Sequence, residues 1–252
     1  MRLKVKNIIR LTLVGVGLAL VLSLVLTIIW TAYYSRFDVK TTPQMMSYIF
    51  SPEHQKQSYK VEYHWVSLDS VSRNVIIAFL AAEDRDFYIH DGFSPINEGD
   101  SVTTIIPNEK ETITQKTAHS VFLTRGDSRF KKILEPYFTV LEEYLWGKDR
   151  ILEVYLNTVL LGDGIFGVEA ASQIYFGKKS GNLTVQEAAL LASLTDNPEM
   201  IDVRNPDKTI LQRQKEIILG MALMMHIKIG KDPVDEKEII PAKPIYKRKW
   251  RG

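Results

Sequence analysis

The stretch AFLAAEDRDFYIHDG, Ala78 to Gly92, decides how the rest of the chain is read. Val75, Ile76, Phe79, Leu80 and Ala82 recur at helical spacing and predict an apolar helix. Ser70 or Ser72 offers the short hydroxyl of an N-cap at its start. The helix ends by delivering one carboxylate, Glu83, and Asp84, Arg85, Phe87 and His90 follow. A carboxylate on the rim of an apolar helix is partly desolvated, which raises its proton affinity toward the range of a general base. Taken by itself, the same residue serves equally as a helix-end cap or as a partner for Arg85.

A chain of 252 residues accommodates one domain with an anchor and tails. A net charge of +2 gives no footprint for nucleic acid. The chain has no cysteine, which excludes disulfides and thiolate metal sites and fits an oxidising compartment.

Working outward from the central helix, the amino terminus carries Arg2, Lys4, Lys6 and Arg10 in a basic segment, residues 1–10. An uncharged run, residues 11–34, follows. About 20 apolar residues span a bilayer as a helix, so this run is long enough. Trp30, Tyr33 and Tyr34 at its far end suit the membrane interface, and the basic residues before it predict a cytoplasmic amino terminus. Everything after Ser35 then faces outward. A cleaved signal peptide has a shorter apolar region, ~7–15 residues, ending in small residues. The bulky aromatics here favour an uncleaved anchor. Residues 35–58 read as a linker broken by Thr41, Thr42, Pro43 and Pro52, and Tyr59 to Val66 alternates as a short strand.

Phe93 to Glu111 reads as a loop with Pro95, Gly99 and Pro107. Glu111 to Thr124 reads as a helix with Gln115, Lys116 and His119 along one polar edge, the pattern of an ordinary solvated face. Beyond it, Lys131, Lys132 and Glu135 share a face that suits a phosphate-bearing substrate as well as a plain surface helix. Pro136 either kinks that helix or starts a new one. Asp149 to Thr158 is helical, and Leu161 to Gly167 is a glycine-bearing turn without the lysine of a phosphate loop. Helices follow over Val168 to Tyr175 and over Val185 to Leu194, the latter with Thr184 as N-cap and Asn197-Pro198 as its stop. Leu211 to His226 is a Met-rich helix of core type. Residues 229–252 form a charged, proline-broken tail read as disordered, with Lys247, Arg248, Lys249 and Arg251 suited to anionic headgroups. The domain, residues 59–228, is mainly α. The absence of βα alternation argues against a doubly wound nucleotide-sugar fold.

Five clusters in register resemble the motifs of the monofunctional biosynthetic peptidoglycan glycosyltransferases of glycosyltransferase family 51. Glu83, Asp84, Phe87, His90 and Gly92 match the first, E-D-x-x-F-x-x-H-x-G. Thr112 to Gln115 match the second, G-x-S-T-I-T-Q-Q, and Lys131, Lys132 and Glu135 the third, R-K-x-x-E. Ile151, Leu152, Glu153, Tyr155, Leu156 and Asn157 match the fourth. Gly167, Glu169, Ala170, Ala171, Tyr175, Phe176 and Gly177 match the fifth, with EAALLA from Glu187 following. The resemblance implies a lysozyme-like helical glycosyltransferase domain behind one transmembrane helix. It implies lipid II and the growing glycan strand as substrates at the outer face of the cytoplasmic membrane, with other cell-wall synthesis proteins as candidate partners. Under it, Glu83 is the general base on the GlcNAc 4-hydroxyl. Glu135 steadies the departing diphosphate, directly or through a divalent metal, Mg or Mn. Gln115, Lys116, His119, Arg125, Arg129, Lys131 and Lys132 are the substrate-binding candidates.

The departures from the family pattern fall near the chemistry. Glu109, Lys110 and Glu111 stand where the family has Gly-x-Ser, and Lys116 stands in place of the second glutamine. His119 replaces a phosphate-contacting lysine, and Asp127 replaces an arginine, although Arg125 and Arg129 flank it. These changes keep a second reading in view, a catalytically weak or inactive membrane-anchored scaffold. A lytic glycosidase on peptidoglycan is a third; it needs two flanking carboxyls but no lysine face, so Lys131, Lys132 and the anchor favour synthesis.

Overall fold

The computed structural model describes residues 2–50, 60–94, 111–124, 129–196, 203 and 205–224. The expectations for the loop over 95–110, for Arg125, for Asn197-Pro198 and for the tail beyond Met224 lie outside the described residues. The side chains of Arg129 and Lys131 lie outside them as well.

Helix α1, Arg2–Tyr34, contains a 28-residue stretch, Asn7–Tyr34, long and apolar enough to cross a membrane. Its last turns are docked on the domain. The Trp146 indole donates to the Thr31 carbonyl at 2.8 Å, and Trp30 meets Phe122 edge-on at 5.1 Å. The Arg150 guanidinium donates to the Tyr34 carbonyl at 2.8 and 3.0 Å, so a cation closes the carbonyl-rich end of the helix.

The segment read as a linker contains a helix, α2, Pro43–Ile49. Pro43, taken from the sequence as a breaker, occupies its first turn, where a missing N–H costs nothing. The Thr42 hydroxyl caps it by accepting from Met45 N–H at 3.1 Å. Met45 and Tyr48 are buried against Phe166.

Helix α3, Arg73–Glu83, starts at the Ser72 cap and is buried from Val75 through Glu83. It packs against α8, Val185–Ala192, and α9, Lys208–Met224, where Ile217, Met221 and Met224 are core residues. Helix α4, Ile113–Phe122, packs on α5, Arg129–Leu145, and on α6, Lys148–Thr158. Phe122 and Phe138 stack face to face at 4.4 Å between α4 and α5. Pro136 neither splits α5 nor starts a new helix; it lies inside a single continuous one.

The glycine-bearing turn is a small hairpin. Strands β2, Leu160–Gly162, and β3, Ile165–Phe166, pair antiparallel, and β1, Glu62–Tyr63, adds in parallel to give the order β1-β3-β2. Helix α7, Val168–Phe176, leads through Gly177 to α8. Asn157 staples this layer: its amide oxygen accepts from Val66 N–H and its NH2 donates to the Val66 carbonyl, both at 2.8 Å. The architecture is mainly α behind one N-terminal apolar helix.

Gly167 has φ +82°, and a Cβ there would lie 2.5 Å from the Asn157 carbonyl oxygen. Gly177 also has positive φ, +64°, but open space around it. Gly167→Ala is therefore expected to cost about 3 kcal/mol or more through strain and collision, and Gly177→Ala about 1 kcal/mol through strain alone. Thermal unfolding of the two variants in detergent checks the order, and equal losses would refute the collision at Gly167.

Candidate active site

The site begins where α3 ends. The Glu83 side chain has no exposed surface, although it stands on the last residue of the helix. Its Oε2 is ion-paired with Lys116 Nζ from the second turn of α4. Its Oε1 accepts from the Thr195 hydroxyl at 2.5 Å. Arg85, the neighbour that could have paired with Glu83, instead donates its Nε to the Ala81 carbonyl at 3.3 Å.

Asp84, one residue on, holds the surrounding chain. Its carboxylate accepts from His90 Nε2 at 2.9 and 3.0 Å and from the Ile113 N–H at 3.0 Å. The Gly92 N–H donates to His90 Nδ1 at 3.1 Å, which fixes the proton of the neutral ring on Nε2. The Thr112 hydroxyl donates to the Gly92 carbonyl at 2.6 Å. Gly92 has φ +89°, and a Cβ there would press on Thr139 and Glu143 at 2.9 and 3.0 Å.

Thr112 and Gln115 form a capping box at the start of α4. The polar edge read as a solvated face is largely buried at Gln115. The Gln115 side chain accepts from Thr112 N–H at 3.1 Å, and its NH2 donates to Glu135 Oε1 at 3.2 Å. One helix therefore reaches both glutamates, Lys116 touching Glu83 and Gln115 touching Glu135. Burial raises the Glu135 pKa above the ordinary carboxylate value, and the charge of Glu111 raises it further against the lowering effect of Gln115.

Lys116, Thr195, Glu111, His119, Tyr155 and Gln44 line a cavity of about 230 Å³ beside Glu83. The Tyr155 hydroxyl is buried with no hydrogen-bond partner among the described residues. Burial, with the charges of Glu83, Asp196 and Asp84, pushes its pKa well up, so it is held neutral behind the cavity. Lys132 is exposed on α5, one turn before Glu135.

Sequence reasoning missed Thr195, the Tyr155 hydroxyl and Gln44. Thr195 lies on a 3-10 turn, Ser193–Asp196, 112 residues from Glu83, and no local pattern marks it. Tyr155 was visible as a member of the fourth motif but with no role for its hydroxyl, and Gln44 belongs to the helix hidden by Pro43. Among the described residues no three His, Asp or Glu side chains converge on a metal position.

The family model described as "Transglycosylase" matches residues 52–222, more than half of the chain. A biosynthetic peptidoglycan transglycosylase of Mannheimia succiniciproducens is 43% identical over 171 residues, covering 65% of this chain and 68% of that protein. Its counterpart in Haemophilus influenzae is 39% identical over 183 residues, covering 67% and 73%. Another, in Aeromonas hydrophila, is 34% identical over 231 residues, covering 88% and 95% and so reaching into the N-terminal helix. With that match running through Glu83, the α4 cap and the Asn157 staple, the chain belongs to the transglycosylase family.

Proposed function

We propose that the protein polymerises lipid II into peptidoglycan glycan strands, anchored by α1 with its amino terminus in the cytoplasm and its domain outside. The observation that carries this reading is the placement of two glutamates by one helix, Glu83 through Lys116 and Glu135 through Gln115, with Lys116 also lining a cavity. The names of the relatives supply the substrate class.

In this reaction the 4-hydroxyl oxygen of the acceptor GlcNAc attacks the anomeric carbon of the donor strand's reducing-end sugar. The hydroxyl proton passes to Glu83. The bond from the anomeric carbon to the phosphate oxygen breaks, and undecaprenyl diphosphate leaves with the electron pair, inverting the centre. Negative charge grows on the diphosphate, so fixed positive charge and donors belong there. Arg129, Lys131 and Lys132 from α5 supply cations, with Arg125 in the segment that precedes it, and Gln115 and His119 supply polar contacts. Mg2+ is commonly held by one or two carboxylates together with substrate phosphates. Glu135 and Glu111 fit that limited role with hard oxygen donors, and a divalent cation held there would add positive charge to the leaving group.

An inactive scaffold draws on one specific observation, the occupation of Glu83 by Lys116. Polymerisation of labelled lipid II by the full-length protein in detergent separates the two. Strands are expected from the wild type, and Glu83→Gln is expected to lose 100-fold or more of the rate, roughly the value of a general base, with its circular dichroism unchanged. Strand synthesis by Glu83→Gln at the wild-type rate would remove Glu83 from the mechanism. Lipid II binding without strands in the wild type would select the scaffold.

The raised Glu135 pKa gives a pH test. Glu111 contributes to the rise, so Glu111→Gln lets Glu135 ionise at lower pH. Because Glu135 acts here as a carboxylate, the acid limb of the kcat/KM profile is expected to move to lower pH in this variant. An acid limb that stays in place would show that Glu135 is not the group titrating there.

A further inference from the structure

Both oxygens of Glu83 are engaged, Oε1 by Thr195 and Oε2 by Lys116, and none of the side chain is exposed. A general base must turn a lone pair toward the hydroxyl it deprotonates. The carboxylate is therefore closed in this arrangement, and one of its partners must give way before it acts.

Lys116 is the partner built to move. Its side chain keeps 26% of its surface exposed and lines the cavity. A lysine carries its charge on a flexible four-carbon stem with three rotatable donors. The cavity that it borders has Gln44 and His119 in its walls, both able to meet phosphate oxygens, and Glu111 as the opposing charge. A diphosphate entering there carries more negative charge than one carboxylate and competes for the same ammonium.

We propose that Lys116 is a two-position residue, seated on Glu83 while the cavity is empty and on the substrate's diphosphate when it is filled, so that binding the donor uncovers the base. The proposal rests on the reading of the cavity as a diphosphate site. It assigns one charge to two tasks in sequence. A carboxylate that loses its counter-charge in a buried place binds a proton more tightly, and the leaving group gains the cation at the same moment. The base is then exposed only when there is something to react with.

The probe is inorganic pyrophosphate added to the full-length protein in detergent, followed by calorimetry and by isotope-edited infrared spectroscopy, with Glu83→Gln identifying the Glu83 carboxylate band. Pyrophosphate is expected to shift that band in the wild type. Lys116→Gln is expected to bind pyrophosphate about 10-fold more weakly, the loss of one charge-assisted contact, and to show no shift. Lys116→Arg, which keeps the charge, is expected to restore both. A Glu83 band that stays in place at pyrophosphate saturation overturns the proposal, as does equal affinity in Lys116→Gln or no binding by the wild type. Lipid II polymerisation is scored separately: a band shift without strands supports the switch and overturns the polymerase reading.

Discussion

Much of the domain is arranged around the Asp84 carboxylate. It takes the His90 ring from its own segment and the first N–H of α4 from a segment 29 residues on. A negative charge at a helix N-terminus is favourable, so one side chain both closes the turn after α3 and seats α4. Once α4 is seated, its periodicity does the rest. Gln115 and Lys116 are adjacent, about 100° apart around the helix, and from that start they diverge, one to Glu135 and the other to Glu83. The site is thus a consequence of where α4 begins.

Among the described residues, Glu83 and Glu142 have side chains with no exposed surface, and they meet the cost of burial in opposite ways. Glu83 keeps partners on both oxygens, including a cation. Glu142, inside α5, has neither oxygen hydrogen-bonded among the described residues, and burial together with the charge of Glu143 pushes its pKa well up. Its surroundings therefore favour the protonated form. A buried ion pair is rarely a net source of stability. The investment at Glu83 is therefore better understood through chemistry than through folding, since an apolar side chain at that helix end would pack at least as well.

The sequence made α3, α7, α8 and the core role of α9 legible from their apolar spacing, helped at α3 and α8 by a recognisable cap. Ser72 and Thr184 were both visible as caps and both act as such. Glu83 and Glu135 were legible from motif spacing. What escaped was what depends on a partner far away in the chain. Pro43 signals a break when read locally, yet with Thr42 before it the same residue starts a helix that exists because Met45 and Tyr48 find Phe166. The hairpin strands are two and three residues long, too short for any alternation to show. Lys116 was a substrate-binding candidate only under the family resemblance, and its local pattern was that of a solvated face. Its seat on Glu83 follows from the meeting of α3 and α4, which no window of sequence contains.

Under the proposed topology, the junction between α1 and the domain sets where the proposed chemistry happens. The contacts are not confined to the last turn: the Tyr137 hydroxyl lies 2.8 Å from that of Thr27, seven residues before the helix ends at Tyr34. Seven residues of helix are about 10 Å, so α5 runs back alongside the anchor rather than only touching its end. On α5, Ile133, Val140 and Tyr144 are 71%, 55% and 85% exposed, at spacings that put them on one stripe with Tyr137. If α1 crosses the bilayer as proposed, that stripe meets the interface beside it, where tyrosine and aliphatic side chains are at home. Lys132 and Glu135 are carried on the same helix. The diphosphate of a lipid-linked sugar sits at the headgroup level, so the helix that would hold it is also the one tied to the anchor by Thr27 and Trp146. Docking of the anchor and placement of the cations are then one constraint, because a domain that swung away from α1 would lift its lysines off the surface where the substrate emerges.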